Sequence, residues 1–105
     1  MDASYINGLT ALAGGGQTGA TKLSATFNRI TTVVTAADSV ILPSAAPGLT
    51  ITVKNAAASN SANVYPAVGD AINALAANAA YALAAGKAVQ FTSYVAGIWD
   101  TILSA

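Results

Sequence analysis

Apolar and polar residues alternate most regularly between Leu49 and Asn55. Leu49, Ile51 and Val53 alternate there with threonine and lysine, which is the period of two expected for a strand with one buried face. The preceding residues 43–48 contain two prolines and end in glycine, a composition typical of a turn. The pattern therefore predicts a strand whose apolar face is part of the core.

Shorter strands are predicted on both sides of this one. Residues 23–37 are rich in β-branched side chains, and the apolar face changes near Asn28 to Ile30, which indicates a bulge or a change of register. Two short strands are predicted at 39–42 and 63–65, and each is followed by a proline that cannot continue the hydrogen-bond ladder.

The C-terminal residues 87–103 have the alternation and the Ala96-Gly97 turn of a β-hairpin. A two-residue turn would place Val95 opposite Ile98. It would also place Tyr94 opposite Trp99 as an aromatic cross-strand pair.

Residues 71–85 are compatible with two structures. Asp70 could cap a helix, Gly86 could end it, and several apolar residues fall near helical spacing. Asn73 and Asn78 are poor helix formers, however, and the flanking segments are all predicted strands. Local propensity favours the helix, whereas the surrounding pattern favours an extended chain.

The first 22 residues hold five of the nine glycines and show no sustained period. We expect residues 1–22 to form a flexible N-terminal arm, because glycine-rich chain stays mobile unless it lies against something else. Tyr5, Ile6 and Leu9 are the candidate anchors of this arm to a neighbouring subunit. Residues 23–105 are predicted to form one β domain.

Charged residues make up only 8% of the 105 residues, with four Lys or Arg, four Asp and no Glu, against about a quarter in an ordinary soluble domain. So little charge favours a protein whose surface is covered by neighbours in an assembly. The cations are scattered along the chain, which argues against nucleic acid and against an anionic membrane surface as partners. The longest apolar run, 71–85, is too short to span a membrane.

The residue inventory also limits the chemistry. The chain has no cysteine and no histidine, which excludes thiolate metal sites and histidine acid-base catalysis. The four aspartates fall at breaks, turns and one strand position, so no catalytic, metal or cofactor site is predicted and the protein is not expected to be an enzyme.

Three glycines, Gly14, Gly16 and Gly19, fit the spacing of a dinucleotide-binding loop, and Asp38 follows about twenty residues later. That site needs a helix between the glycines and the next strand. Residues 20–28 are too short and too rich in β-branched residues to form one, so we reject a cofactor at this position.

Three runs of sequence carry a resemblance to a known group. They are SVILPSAAPGLTITVKN (39–55), NVYPAVGDAIN (63–73) and LAAGKAVQFTSYVAGIWDTI (83–102). The shared pattern consists of four groups of residues: Leu42-Pro43 with Gly48, Val53 with Asn55, Val64 to Asn73, and Phe91 with Gly97 and Trp99. This pattern resembles that of small virion proteins of tailed bacteriophages, of the head decoration (cement), head-fibre and tail-fibre kinds.

The resemblance implies an all-β fold, a homotrimer and an extended chain over 71–85. It also implies a location on the virion, commonly on the capsid surface, where the partner is the major capsid protein. We therefore expect a small β-sandwich or jelly-roll-like barrel of about seven or eight short strands with a flexible N-terminal arm. Its candidate contacts are Tyr5, Ile6, Leu9, Tyr94 and Trp99.

The alternative function is a fibre module that binds host surface glycan. Aromatic side chains stack on sugars, and Tyr94 and Trp99 would be the stacking residues in that case. With only one tryptophan and two phenylalanines in the chain, these large side chains are also candidates for the core.

Overall fold

The computed structural model describes residues 4–104, which contain ten strands and no helix. The strands are β1 (Tyr5–Thr10), β2 (Thr21–Lys22), β3 (Phe27–Thr32), β4 (Asp38–Ile41), β5 (Thr50–Asn55), β6 (Ala62–Tyr65), β7 (Ala71–Ile72), β8 (Tyr81–Leu83), β9 (Ala88–Val95) and β10 (Ile98–Leu103). Over these residues there is thus no helix long and apolar enough to cross a membrane. The predicted all-β class is confirmed.

The strands form two sheets, and from β1 to β8 the chain alternates between them. One sheet has six strands in the order β1-β3-β5-β9-β10-β7, and the other has four in the order β2-β4-β6-β8. Strands β1, β3 and β5 are parallel, as are β2, β4 and β6. Successive stretches of chain therefore wind around the core and stack on one another as coils.

This winding differs from the predicted sandwich or jelly-roll-like barrel. Those folds are built from antiparallel hairpins and Greek keys, whereas here each coil contributes one strand to each sheet, as in a β-solenoid. Among the ten strands, antiparallel pairing is confined to the later ones, where β8 pairs with β6 and where β9 pairs with both β5 and β10.

One apolar core lies between the two sheets. Val53, Phe91 and Trp99 of the six-stranded sheet and Val64 and Leu83 of the four-stranded sheet are all completely buried. The Phe91 ring lies edge-on to Trp99, and Tyr81 of the opposite sheet also meets it edge-on, at centroid distances of 6.5 and 5.7 Å. Aromatic contacts of this geometry add to the stabilisation from burial alone.

The predicted core strand at 49–55 lies at the centre of this arrangement. It is observed as β5, and Ile51 and Val53 point into the core as the alternation predicts. Leu49 precedes the strand and is partly exposed. The ladder therefore begins one residue later than predicted.

The described part of the predicted arm is a complete coil rather than a separate segment. Strand β1 pairs with β3 and β2 pairs with β4. The glycine loop between them is fixed to the next coil, because the Gly14 N–H donates to the Asp38 carboxylate (3.1 Å) and the Ser39 hydroxyl donates to the Gly16 carbonyl (2.7 Å). Residues 1–3 of the predicted arm lie outside the described residues.

The ambiguous residues 71–85 contain two short strands joined by turns, so the helical alternative is wrong. Asn73 and Asn78 have φ angles of 53° and 67°, in the left-handed region that a right-handed helix cannot use. The Asn78 side-chain oxygen accepts the Gly69 N–H (2.7 Å) and the Gln17 amide (3.1 Å). These hydrogen bonds hold the turn against the first coil.

The predicted hairpin is present, but its aromatic pair is not. Val95 lies opposite Ile98 as predicted, and the register then shifts before Asp100 pairs with Thr92. This β-bulge places two residues of β9 opposite Trp99. Tyr94 consequently points to solvent, whereas Trp99 points into the core.

Candidate functional site

The solvent-facing side of the six-stranded sheet carries an organised set of side chains, here called the outer face. Its central row crosses five strands in direct register, in the order Tyr5, Phe27, Thr52, Gln90 and Ile102. Tyr5, Phe27 and Ile102 are 76%, 51% and 66% exposed. Single exposed apolar residues are ordinary, but apolar side chains at both ends of one row make a surface suited to a partner.

A second row, which holds two cations, runs along one side of the central row. Asn7, Arg29 and Lys54 lie directly opposite one another on β1, β3 and β5. With Tyr5 and Phe27 they border a shallow depression of about 270 Å³. Arg29 donates to the Asn7 side-chain oxygen (3.0 Å) and Lys54 donates to the Gly86 carbonyl (2.7 Å). Both cations thus have neutral partners.

This pairing of Arg29 with Lys54 is unfavourable in the isolated chain. Like charges directly opposite on neighbouring strands destabilise a sheet. Arg29 retains donors that are exposed to solvent. A carboxylate placed over the depression would neutralise the repulsion and accept those donors.

The exposed carboxylate of the same face lies on the other side of the central row. Asp100 pairs with Thr92 of β9, and Thr92 in turn pairs with Thr50 of β5. From this register, Asp100 is displaced from Lys54 by two strands, roughly 10 Å, and by four residues, about 13 Å. The two charges are therefore too far apart to form an ion pair within one chain.

A groove lies at the corner where β2 and β4 end. It has a volume of about 730 Å³ and is lined by apolar residues of three successive coils, among them Leu23, Leu42 and Ile51, together with serine and threonine residues. Its charged lining residue is Lys22, and no aromatic side chain contributes to the lining. The groove lacks the rings that stack on sugars and the acid pairs that hydrolyse them.

The buried aspartate has a structural role. Asp38 is almost fully buried, and its two oxygens accept the N–H groups of Gly14 and Thr35, both at 3.1 Å. The glycine loop and Asp38 of the rejected dinucleotide motif therefore do meet, but the carboxylate binds backbone rather than a ribose. Asp70 similarly accepts the Ala45 N–H at 2.8 Å.

Within residues 4–104 no three His, Cys, Asp or Glu side chains cluster as metal ligands would. The described aspartates are distributed over turns, the core boundary and the outer face. Among these described aspartates, no hydrogen bond joins one carboxylate to another.

The five predicted contact residues fall in three different environments. Tyr5 and Tyr94 are exposed, at 76% and 69%. Ile6 and Leu9 are half-buried on the core side of β1, because the Gly8 bulge brings both into register with the inward positions of β3. Trp99 has no exposed surface, which removes it from the set of surface contacts.

The structure does not bring Tyr5 and Tyr94 together, since β3 and β5 separate their strands. It brings Tyr5 instead to Phe27, Arg29 and Lys54, which sequence reasoning did not select. Lys54 does lie on the polar face of the predicted strand 49–55, and that was the available signal, whereas the change of face near Asn28 to Ile30 left the side of Arg29 open. Only the parallel register, which a sequence without a fixed repeat does not show, makes them neighbours.

No protein-family model matches the chain, and no curated protein or solved structure is significantly similar to it.

Proposed function

We propose that this protein is a structural component of a bacteriophage virion that assembles as a homotrimer and binds the major capsid protein as a head decoration (cement) protein. The observation that carries the proposal is its surface. Eleven large apolar side chains are substantially exposed among residues 4–104, in a chain with only eight charged residues. Such a surface is poorly suited to a free monomer and well suited to a lattice of neighbours.

The choice of a virion rests on the resemblance of about residues 38–102 to small phage proteins. The motif residues of that resemblance have structural roles here. Asn55 bonds the backbone of three other residues, and Asp70 bonds the backbone of the turn at Ala45. Gly97 forms the tight turn before the buried Trp99. The motif is thus a set of turn and core positions, and the function it implies is structural rather than catalytic.

The cementing role is tested on particles that lack the protein. Purified chain added to such particles should bind saturably, with on the order of hundreds of copies on a head, and should raise the temperature at which the capsid releases its genome. Electron microscopy of the decorated particles would show the copies as trimers. Binding without any change in capsid stability to heat or low salt would contradict the cementing role.

The alternative is a fibre module that binds host glycan. Copy number per particle and the effect of substituting Tyr94 distinguish it from a decoration protein. A fibre would be present in a few to a few dozen copies per particle. Trp99 is not available for stacking, so Tyr94→Ala is the informative variant. Loss of glycan binding in this variant would favour the fibre, and we expect no glycan binding by the wild-type protein.

A further inference from the structure

We infer that the outer face is covered by a second copy of this chain, with Asp100 of one copy placed against Arg29 and Lys54 of its neighbour. The inference deepens the proposed function, on whose homo-oligomer it rests, by naming the surface through which the copies associate. It does not depend on binding to a virion.

Charge complementarity selects this occupant. The outer face holds two cations on one side of its central row and Asp100 on the other. Among the other described aspartates, Asp38 is buried and Asp70 already accepts a backbone N–H. Within residues 4–104, Asp100 is therefore the exposed aspartate that a second copy can offer to the cations. Its distance from the cations in its own chain makes the pair an intermolecular one.

The apolar residues of the central row fit the same contact. Tyr5 and Phe27 lie beside the cations, while Ile102 lies two residues from Asp100 on β10. A neighbour whose Asp100 meets the cations thus brings its exposed isoleucine close to the exposed aromatic rings. Burial of apolar area would supply the affinity, and the charge pairs would fix the register.

The size and shape of the face also suit a homomeric contact. Five strands spaced about 4.8 Å apart and roughly 20 Å long give a face of roughly 500 Å² in projection. This projected area is smaller than the roughly 800 Å² of accessible surface that each partner contributes to a standard interface, so we expect an interface at the small end of the range. Because the contact joins two different patches, it can close a ring of copies head to tail.

The experiment uses purified chains and two charge-reversal variants. The first is Asp100→Lys, and the second is the double variant Arg29→Glu/Lys54→Glu. Sedimentation velocity at low salt should show that the wild type self-associates and that each variant alone does so at least about tenfold more weakly, because each places like charges in contact. An equimolar mixture of the two variants should recover association in part, since contacts between unlike copies again join opposite charges, whereas a ring of three copies retains one contact between like variants.

Lys22→Glu is the matched control, because it reverses a cation that lies in the groove and not on the outer face. It should associate like the wild type, and thermal unfolding of every variant verifies that it is folded. A wild type that remains monomeric up to roughly 100 μM would overturn the inference. Variants that associate like the wild type, or a mixture that associates no more strongly than either variant alone, would overturn it as well.

Particle binding, measured separately, distinguishes the two proposals. A monomeric chain that still decorates capsids would contradict the outer-face contact and leave virion binding intact. A chain that associates through Asp100 but never binds a particle would support the outer-face contact and contradict the decoration role.

Discussion

At the scale of single residues, close packing of backbone on backbone requires glycine at one position of the first coil. A Cβ on Gly15 would lie 2.7 Å from the Ala37 carbonyl oxygen, whereas a Cβ on Gly14 would meet nothing within 4 Å. Both glycines have positive φ, at 70° and 86°. Comparing an alanine substitution at Gly14 with one at Gly15 therefore separates the cost of backbone strain from the cost of the steric contact.

We expect Gly15→Ala to destabilise the protein more than Gly14→Ala. The positive φ alone costs about 1–2 kcal/mol in either variant. The contact with Ala37 adds about 1–3 kcal/mol for Gly15→Ala only. Chemical denaturation of both variants gives the difference in the free energy of unfolding. Equal losses would show that the loop does not pack on the Ala37 turn.

Sequence reasoning is reliable for residues whose environment is set by their own strand. Ile51 and Val53 are buried, as strict alternation predicts. The same reasoning missed the roles of Asp38 and Gly15, because each depends on a partner more than twenty residues away. It also paired Tyr94 with Trp99, since a bulge that turns the two rings to opposite faces leaves no mark on the alternation.

At the scale of elements, buried asparagine holds the corner between β5 and β6. The Asn55 amide donates to the carbonyls of Asn60 (3.1 Å) and Leu83 (3.0 Å), and its oxygen accepts the Ala57 N–H (3.2 Å). The corner is therefore tied to β8 of the opposite sheet. Strands were predictable from the periodicity of apolar residues, but such corners were not. Hydrogen bonds from a side chain to the backbone hold them, and these bonds require no periodic pattern in the sequence.

We expect Asn55→Asp to be more damaging than Asn55→Ala. Alanine leaves backbone groups at the corner unsatisfied, which costs about 2–4 kcal/mol. Aspartate instead turns an acceptor toward two carbonyl oxygens and buries a charge, which costs more. Thermal and denaturant unfolding at neutral pH check the order. Asn63→Asp is the control, because Asn63 is only half-buried on β6, and it should change stability by less than about 1 kcal/mol.

At the scale of the whole molecule, the all-β class was predictable and the winding was not. Positions that pair between coils are 22 residues apart from Tyr5 to Phe27 and 25 apart from Phe27 to Thr52. In the other sheet the spacings are 19 from Thr21 to Val40 and 24 from Val40 to Val64. Because loops of unequal length separate the strands, no fixed period marks the repeat. For the same reason the first coil was predicted to be an arm.

Residues 5–22 would show opposite hydrogen-exchange behaviour as a flexible arm and as the first coil of the fold. As part of a coil, the Ala11 amide donates to Thr32 (3.0 Å) and the Leu12 amide to Ser39 (2.8 Å). Terminal coils of a solenoid have neighbours on one side only, so these amides should exchange through opening of the end coil, before the amides of β5 and β9. Even so, we expect protection of at least about a thousandfold.

Mass spectrometry or NMR of the intact chain measures this protection, and Thr18 in the exposed turn of the same coil is the internal control. Thr18 should exchange near its intrinsic rate while Ala11 and Leu12 do not. A flexible arm would instead exchange at near-intrinsic rates at all three positions. The measurement should be made at concentrations where the chain is monomeric, because a neighbour on the outer face would itself protect β1.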